Sequence, residues 1–235
     1  MKKLIKEELT GWKAWEIAWM AIACAVIIGL SIYWGDTLMG IISATTGVIC
    51  VIATGKGKLM AYLFGAINCA LYAIISYQAN YLGEAQLNFF YYLPMQFVGF
   101  FVWKKNMNTE THEVKKRHMS WKLRLLSVSG IALSTWLYGM LLQHLGGSMP
   151  YVDSFTTMCS VIAMIVSIGM YSEQWWIWVA VDVFTVYLWF IDFRAGNDNL
   201  ATLLMWIVYL GNAVIMLIKW EKEARKNKEA KTHEV

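Results

Sequence analysis

Charge is what this 235-residue chain has least of: Asp, Glu, Lys and Arg make up 15% of it, against 58% apolar residues. That balance excludes a disordered chain and is excessive for a water-soluble domain. Prolines number two, so helices can run long without interruption. Cys24, Cys50, Cys69 and Cys159 all fall inside apolar runs, without the spacing of a disulfide framework or a zinc site. They read as small packing residues. His112, His118, His144 and His233 lie in loops, in the tail or at a segment end, and form no His-x-x-x-His pair. No acid partner stands at helical spacing from them, so no metal, no cofactor and no bond-making site is expected. Gly55-Lys56-Gly57-Lys58 lacks the strand context and glycine spacing of a phosphate-binding loop, and reads as a short basic hairpin. Nucleic acid is not an expected partner either, because the net charge of +4 resides in loops that nowhere interleave cations with aromatics.

What the chain has is eight apolar segments near the ~20 residues needed to cross a bilayer: 15–34, 37–54, 59–77, 86–103, 125–143, 152–171, 175–193 and 200–219. The lipid bilayer is therefore its first partner. The connections alternate between basic and charge-poor. Lys2, Lys3, Lys6 and Lys13 precede the first segment, Lys56 and Lys58 sit in the second hairpin, seven cations occupy the loop 104–124, and Lys219 opens a basic tail. Of the twenty Lys and Arg residues, Arg194 alone falls on the opposite side. The positive-inside rule then places both termini in the cytoplasm of a multi-pass inner-membrane protein. Glu16, the Trp12, Trp15 and Trp19 series and the lack of a small-residue cleavage site make the first segment a retained helix rather than a signal peptide.

Segments two to four resemble segments six to eight. At an offset of 117, Tyr92 and Trp103 fall on Tyr209 and Trp220, and Pro94 meets Gly211. Each repeat has three helices, so one intervening helix is required if both are to point the same way. The predicted fold class is an all-α polytopic membrane protein with eight transmembrane helices in a 3+1+3 plan. Residues 1–34 form a basic segment and leading helix, 35–103 a first three-helix bundle, 104–124 a cytoplasmic loop, 125–143 a linker helix, 152–220 a second bundle and 221–235 a cytoplasmic tail. Parallel repeats with matched helix breakers are a transporter pattern, with the substrate expected between the halves and Pro94 and Gly211 as bending points. The stretch 106–117 reads as a solvated loop, and the residues after Glu221 as a frayed helical tail.

An ionisable residue deep within a span is a functional hypothesis by default. Asp182 qualifies, seven residues from Trp175 and so roughly 10 Å in at the helical rise. Trp178, Asp182, Thr185 and Trp189 recur at i, i+4, i+7 and i+11, which stacks two indoles, a carboxyl and a hydroxyl on one face. The plainer alternative is a buried carboxyl bonded to a neighbouring helix. Similar faces come from Asn88, Tyr92 and Gln96, from Asp153, Thr156 and Ser160, from Asn68 with Tyr72, and from Tyr209 with Asn212. Amides and hydroxyls of this kind also serve as bonds between membrane helices. Among the thirteen tryptophans, Trp15, Trp34, Trp103, Trp121, Trp175, Trp176 and Trp220 stand at segment ends and read as interface anchors, whereas Trp136, Trp178, Trp189 and Trp206 lie deeper. Indole walls with one carboxylate suit a flat aromatic cation. The candidate substrate-binding residues are Asn88, Tyr92, Gln96, Thr156, Trp178, Asp182, Trp189, Tyr209 and Asn212.

At these residues the chain resembles the PnuC family of bacterial nicotinamide riboside transporters, which have a SWEET-like fold. The resemblance runs from Gly35 to Trp220. It is carried by Thr46-Gly47, Thr54-Gly55-Lys56-Gly57, Phe64-Gly65 with Tyr72, and Ile75-Ser76-Tyr77. The most specific stretch is Tyr81-Leu82-Gly83-Glu84-Ala85-Gln86-Leu87-Asn88, continuing to Tyr91, Pro94-Met95-Gln96 and Trp103. Asp153-Ser154, Thr156-Thr157, Glu173-Gln174-Trp175, Trp178, Val181-Asp182-Val183 and Leu210 to Asn212 extend it through the second half. The resemblance implies a non-enzymatic, uncoupled facilitator of nicotinamide riboside, a vitamin B3 form and NAD precursor. Its substrate would be trapped by a separate cytoplasmic nicotinamide riboside kinase, and a homotrimer is compatible with it. Thiamine and riboflavin remain alternative cargoes, and a proton-coupled mechanism an alternative mode.

Overall fold

The computed structural model describes residues 7–35, 37–78, 82–146, 149–194 and 200–233. Lys2, Lys3 and Lys6 of the expected basic terminus, and Tyr81 of the most family-specific stretch, lie outside these. The described chain is helical: α1 (Ala14–Tyr33), α2 (Leu38–Lys56), α3 (Met60–Gln78), α4 (Leu82–Gln86), a π-helical turn (Leu87–Tyr92), α5 (Leu93–Lys105), α6 (Trp121–His144), α7 (Pro150–Ile168), α8 (Gln174–Arg194) and α9 (Leu200–His233). Among the described residues, α1, α2, α3, α6, α7 and α8 are long and apolar enough to cross a membrane. The chain divides into two compact units, Met1–Lys115 and Lys116–Val235.

In the first unit, α1 packs on α2, and α3 packs on α2 and on the α4–α5 run. The α2–α3 connection is tight because Gly57 closes α2 in the left-handed region, φ 84°, and donates its N–H to the Ala53 carbonyl at 2.9 Å. The basic hairpin expected at this point is not solvated. Lys56 is 4% exposed, with Nζ 2.7 Å from Glu16 and 2.9 Å from Glu113. Lys58 is fully buried and donates to the carbonyls of Glu7 and His112 at 3.1 and 2.8 Å. The Glu8 carboxylate accepts the Met60 N–H at 2.9 Å, at the start of α3. Val114 donates its N–H to Gly57 at 2.9 Å. The first half of the loop is thus held by the hairpin, because cations this deep require carboxylate or carbonyl partners.

In the second unit, α6 packs on α7, α7 on α8 and α8 on α9. The Ser154 hydroxyl donates to the Thr135 carbonyl at 2.7 Å, and Gly139 leaves room for the Tyr151 ring. The tail is not frayed at Glu221, since α9 continues to His233. Its extension holds the rest of the loop: Lys116, 2% exposed, pairs with Glu223 and lies 5.5 Å from the Trp220 ring, while Asn227 donates to the Lys116 carbonyl at 2.9 Å. Glu173 accepts the Met119 N–H at 3.1 Å and pairs with Arg124 at 2.6 Å.

Three expected interface anchors are core residues instead. Trp103 and Trp220 have no exposed surface and Trp175 has 2%. Trp103 meets Tyr62 edge-on at 5.0 Å, and Trp220 meets Trp175 at 6.0 Å. The buried lysines and the loop close over these segment ends, so indoles placed there by sequence position are covered by protein. Trp15, Trp121 and Trp176 are exposed, as is Trp136 at 54%.

Candidate functional site

Asn88, Tyr92 and Gln96 all lie on the run from α4 through the π turn into α5, but not on a single straight α-helix. Pro94 accounts for the irregularity. It has no N–H for the Phe90 carbonyl, and its ring crowds that carbonyl in an α register. The residue just before it, Leu93, donates to Asn88, five residues back, which is the π pattern. Asn88 and Gln96 are both 7% exposed and Tyr92 is half-buried, whereas Phe89 and Phe90 turn outward at 53% and 73%. Asn88 donates to the Glu84 carbonyl of its own helix at 2.9 Å.

Two glycines make space for amides in this unit. A Cβ on Gly65 would stand 2.4 Å from Gln96 Oε1, and one on Gly47 3.0 Å from Asn68 Nδ2. The two amides are nevertheless differently employed. Asn68 donates to the Ser43 carbonyl at 2.8 Å and to its hydroxyl at 3.3 Å, so it bonds α3 to α2. Gln96 Nε2 faces the Cys69 sulfur at 3.8 Å, a weak acceptor that a ligand oxygen would outcompete. Tyr72, paired with Asn68 by spacing, is 42% exposed.

In the second unit, the polar face of α8 is turned inward. Asp182 is 5% exposed, and Trp178, Thr185 and Trp189 are half-buried, while Val183, Phe184, Tyr187, Phe190 and Ile191 face outward. Thr185 spends its hydroxyl proton on the Val181 carbonyl at 2.9 Å. Thr156 on α7 does the same toward Val152 and Asp153, at 3.2 and 3.1 Å, and Ser160 toward Thr156 at 2.8 Å. Those hydroxyls keep their lone pairs for a donor. On α9, Asn212 is 2% exposed and Tyr209 is half-buried, edge-on to Trp206 at 5.6 Å. Because α8 packs on both α7 and α9, the unit brings Thr156, Asp182 and Asn212 onto adjacent helices. A buried carboxyl on a helix face that also carries two indoles can bind a flat cation.

A family model described as "Nicotinamide mononucleotide transporter" matches residues 37–222. The nicotinamide riboside transporter PnuC of Neisseria mucosa is 36% identical over 227 residues, covering 94% of this chain and 86% of that protein. The chain belongs to the PnuC family. Its Haemophilus influenzae relative of the same name is 31% identical over 226 residues, with 95% and 97% coverage. The Escherichia coli PnuC is 25% identical over 170 residues, 62% of this chain and 71% of that one. Among solved structures, one titled "Crystal structure of the Vitamin B3 transporter PnuC" superposes with a TM-score of 0.81 at 35% identity, over 96% of this chain and 98% of its own. PnuC membership thus rests on sequence and on fold together.

Sequence reasoning missed several residues that shape these faces. Gly65 carries no chemistry of its own, and its role is visible once Gln96 is seen against it. Ser43 supplies its backbone carbonyl as well as its hydroxyl. Lys56, Lys58 and Lys116 looked like loop charges because their partners are 40 to 110 residues away in sequence.

Proposed function

We propose that this PnuC-family chain is a nicotinamide riboside transporter that carries its substrate by facilitated diffusion through alternating access, with trapping by a cytoplasmic nicotinamide riboside kinase. The inward-facing Trp178–Asp182–Trp189 face of α8 carries the reading. Nicotinamide riboside is a pyridinium cation with a carboxamide and a ribose. Trp178 and Trp189 would wall the pocket that takes its ring, and Asp182 would offset its charge or accept a ribose hydroxyl. Asn88, Gln96 and Asn212 would read amide or sugar groups, with Tyr92, Thr156 and Tyr209 completing the walls. The names of the Neisseria and Haemophilus relatives support the riboside. The family description names the mononucleotide, but a phosphate needs a cation, and apart from terminal Lys219 no Lys or Arg falls within the eight apolar segments.

The same reading includes eight crossings in a 3+1+3 plan, both termini in the cytoplasm of the bacterial inner membrane, and a homotrimer. The basic asymmetry of the loops supports the orientation. Calorimetric titration of the purified protein with nicotinamide riboside, thiamine and riboflavin tests the substrate. Binding of the riboside alone is expected, and Asp182→Asn should weaken it by roughly 10- to 150-fold, the equivalent of losing a charged hydrogen bond of about 1.5–3 kcal/mol. Thiamine binding alone would move the cargo. Wild-type affinity in the folded variant would remove Asp182 from the site.

A further inference from the structure

The spacing of Asn88 and Gln96 does not by itself put them on one face. In an unbroken α-helix residues turn by about 100° each, so eight residues end about 80° away from two full turns. The residue aligned with Gln96 would be seven positions earlier, and that is Phe89. Instead Phe89 is 53% exposed and Asn88 is 7% exposed. The π turn at Leu87–Tyr92 explains this, because it accommodates one additional residue and makes the eight-residue separation behave as seven, within about 20° of two turns.

From this geometry we infer that Pro94 is a positioning residue for ligand recognition: by holding Leu87–Tyr92 in the π register it brings Asn88 into the buried line of Gln96. Pro94 itself is exposed. It acts by withholding the N–H that would draw the Phe90 carbonyl into an α turn. Restoring that N–H permits the shorter α turn, which would rotate Asn88 by about 100° relative to Gln96 and bring a phenylalanine inward in its place. The inference rests on the proposed site insofar as it predicts affinity, but the register itself is independent of any substrate.

Three variants separate these statements. Pro94→Ala should lower nicotinamide riboside affinity at least tenfold. Deleting Phe90 alone leaves Pro94 demanding the longer turn with one residue fewer, so Asn88 turns away from the line of Gln96 and affinity should fall as well. The combination of Pro94→Ala with the Phe90 deletion should recover the affinity that Pro94→Ala lost. A role confined to helix stability predicts no such recovery. In parallel, Asn88→Cys is introduced with Cys24, Cys50, Cys69 and Cys159 replaced by Ala, and its labelling by a membrane-permeant maleimide is followed. Labelling should be slow with Pro94, rise with Pro94→Ala and fall again when the Phe90 deletion is added to it. Unchanged labelling after Pro94→Ala, or no recovery in the double variant, overturns the inference. The expected labelling pattern in a protein that binds no nicotinamide riboside would overturn the substrate and leave the register intact.

Discussion

Replacing Lys56 with Met would leave two carboxylates, Glu16 and Glu113, facing each other without the cation that lies 2.7 and 2.9 Å from them. Glu16 is 2% exposed and Glu113 16%, so solvent cannot take over that role at Glu16. Removing one partner of a buried pair costs about 3–5 kcal/mol, because the remaining charge loses its counter-ion in a low-dielectric site, and the Lys13 N–H that Glu16 also accepts carries no full charge to replace it. For a chain of this size, each kcal/mol moves the melting temperature by about 2–4 °C, so Lys56→Met should lower it by roughly 6–20 °C. The triple variant Lys56→Met, Glu16→Gln, Glu113→Gln removes all three charges and should recover most of that loss. Scanning fluorimetry of the detergent-purified proteins reads both numbers. A shift under 2 °C for Lys56→Met, or a triple variant less stable than the single one, would refute the argument that this hairpin is held by buried charge.

Two further outcomes follow from the same geometry. Gly65→Ala places a methyl 2.4 Å from Gln96 Oε1 and 3.0 Å from Cys50 Sγ, so Gln96 must move; about 1–3 kcal/mol of stability should be lost, and calorimetry should show weaker nicotinamide riboside binding. Burial pushes the Glu8 carboxyl up from its usual range, against the lowering effect of the Met60 N–H and of Lys58. A carboxyl raised in the folded state gives stability that is present below its unfolded pKa and lost as pH rises through the folded one. Hydrogen exchange in the segment around Met60 should therefore quicken with rising pH beyond its intrinsic trend, and Glu8→Gln should flatten that excess.

The asymmetry between what could and could not be read shows at particular residues. The inward face of α8 follows from helical period alone, since Trp178, Asp182, Thr185 and Trp189 have the spacing of one stripe and lipid penalises a carboxyl. Asn88 and Gln96 look equally regular at i and i+8, yet their shared burial depends on a π turn that spacing does not disclose. Asn68 and Gln96 are both amides at mid-span, and their different hydrogen bonds depend on where the Ser43 carbonyl and the Cys69 sulfur fall.

By itself the sequence determined the apolar helices, family membership and the inward face of α8, because hydropathy and the 3.6-residue period are local properties of the chain. Tertiary structure alone decided which of the loop charges are buried. Lys56 meets Glu113, Lys58 the carbonyl of His112, and Lys116 pairs with Glu223. Each of these contacts spans 50 residues or more, and a cation's surroundings are set by the segments that fold over it rather than by its neighbours in sequence.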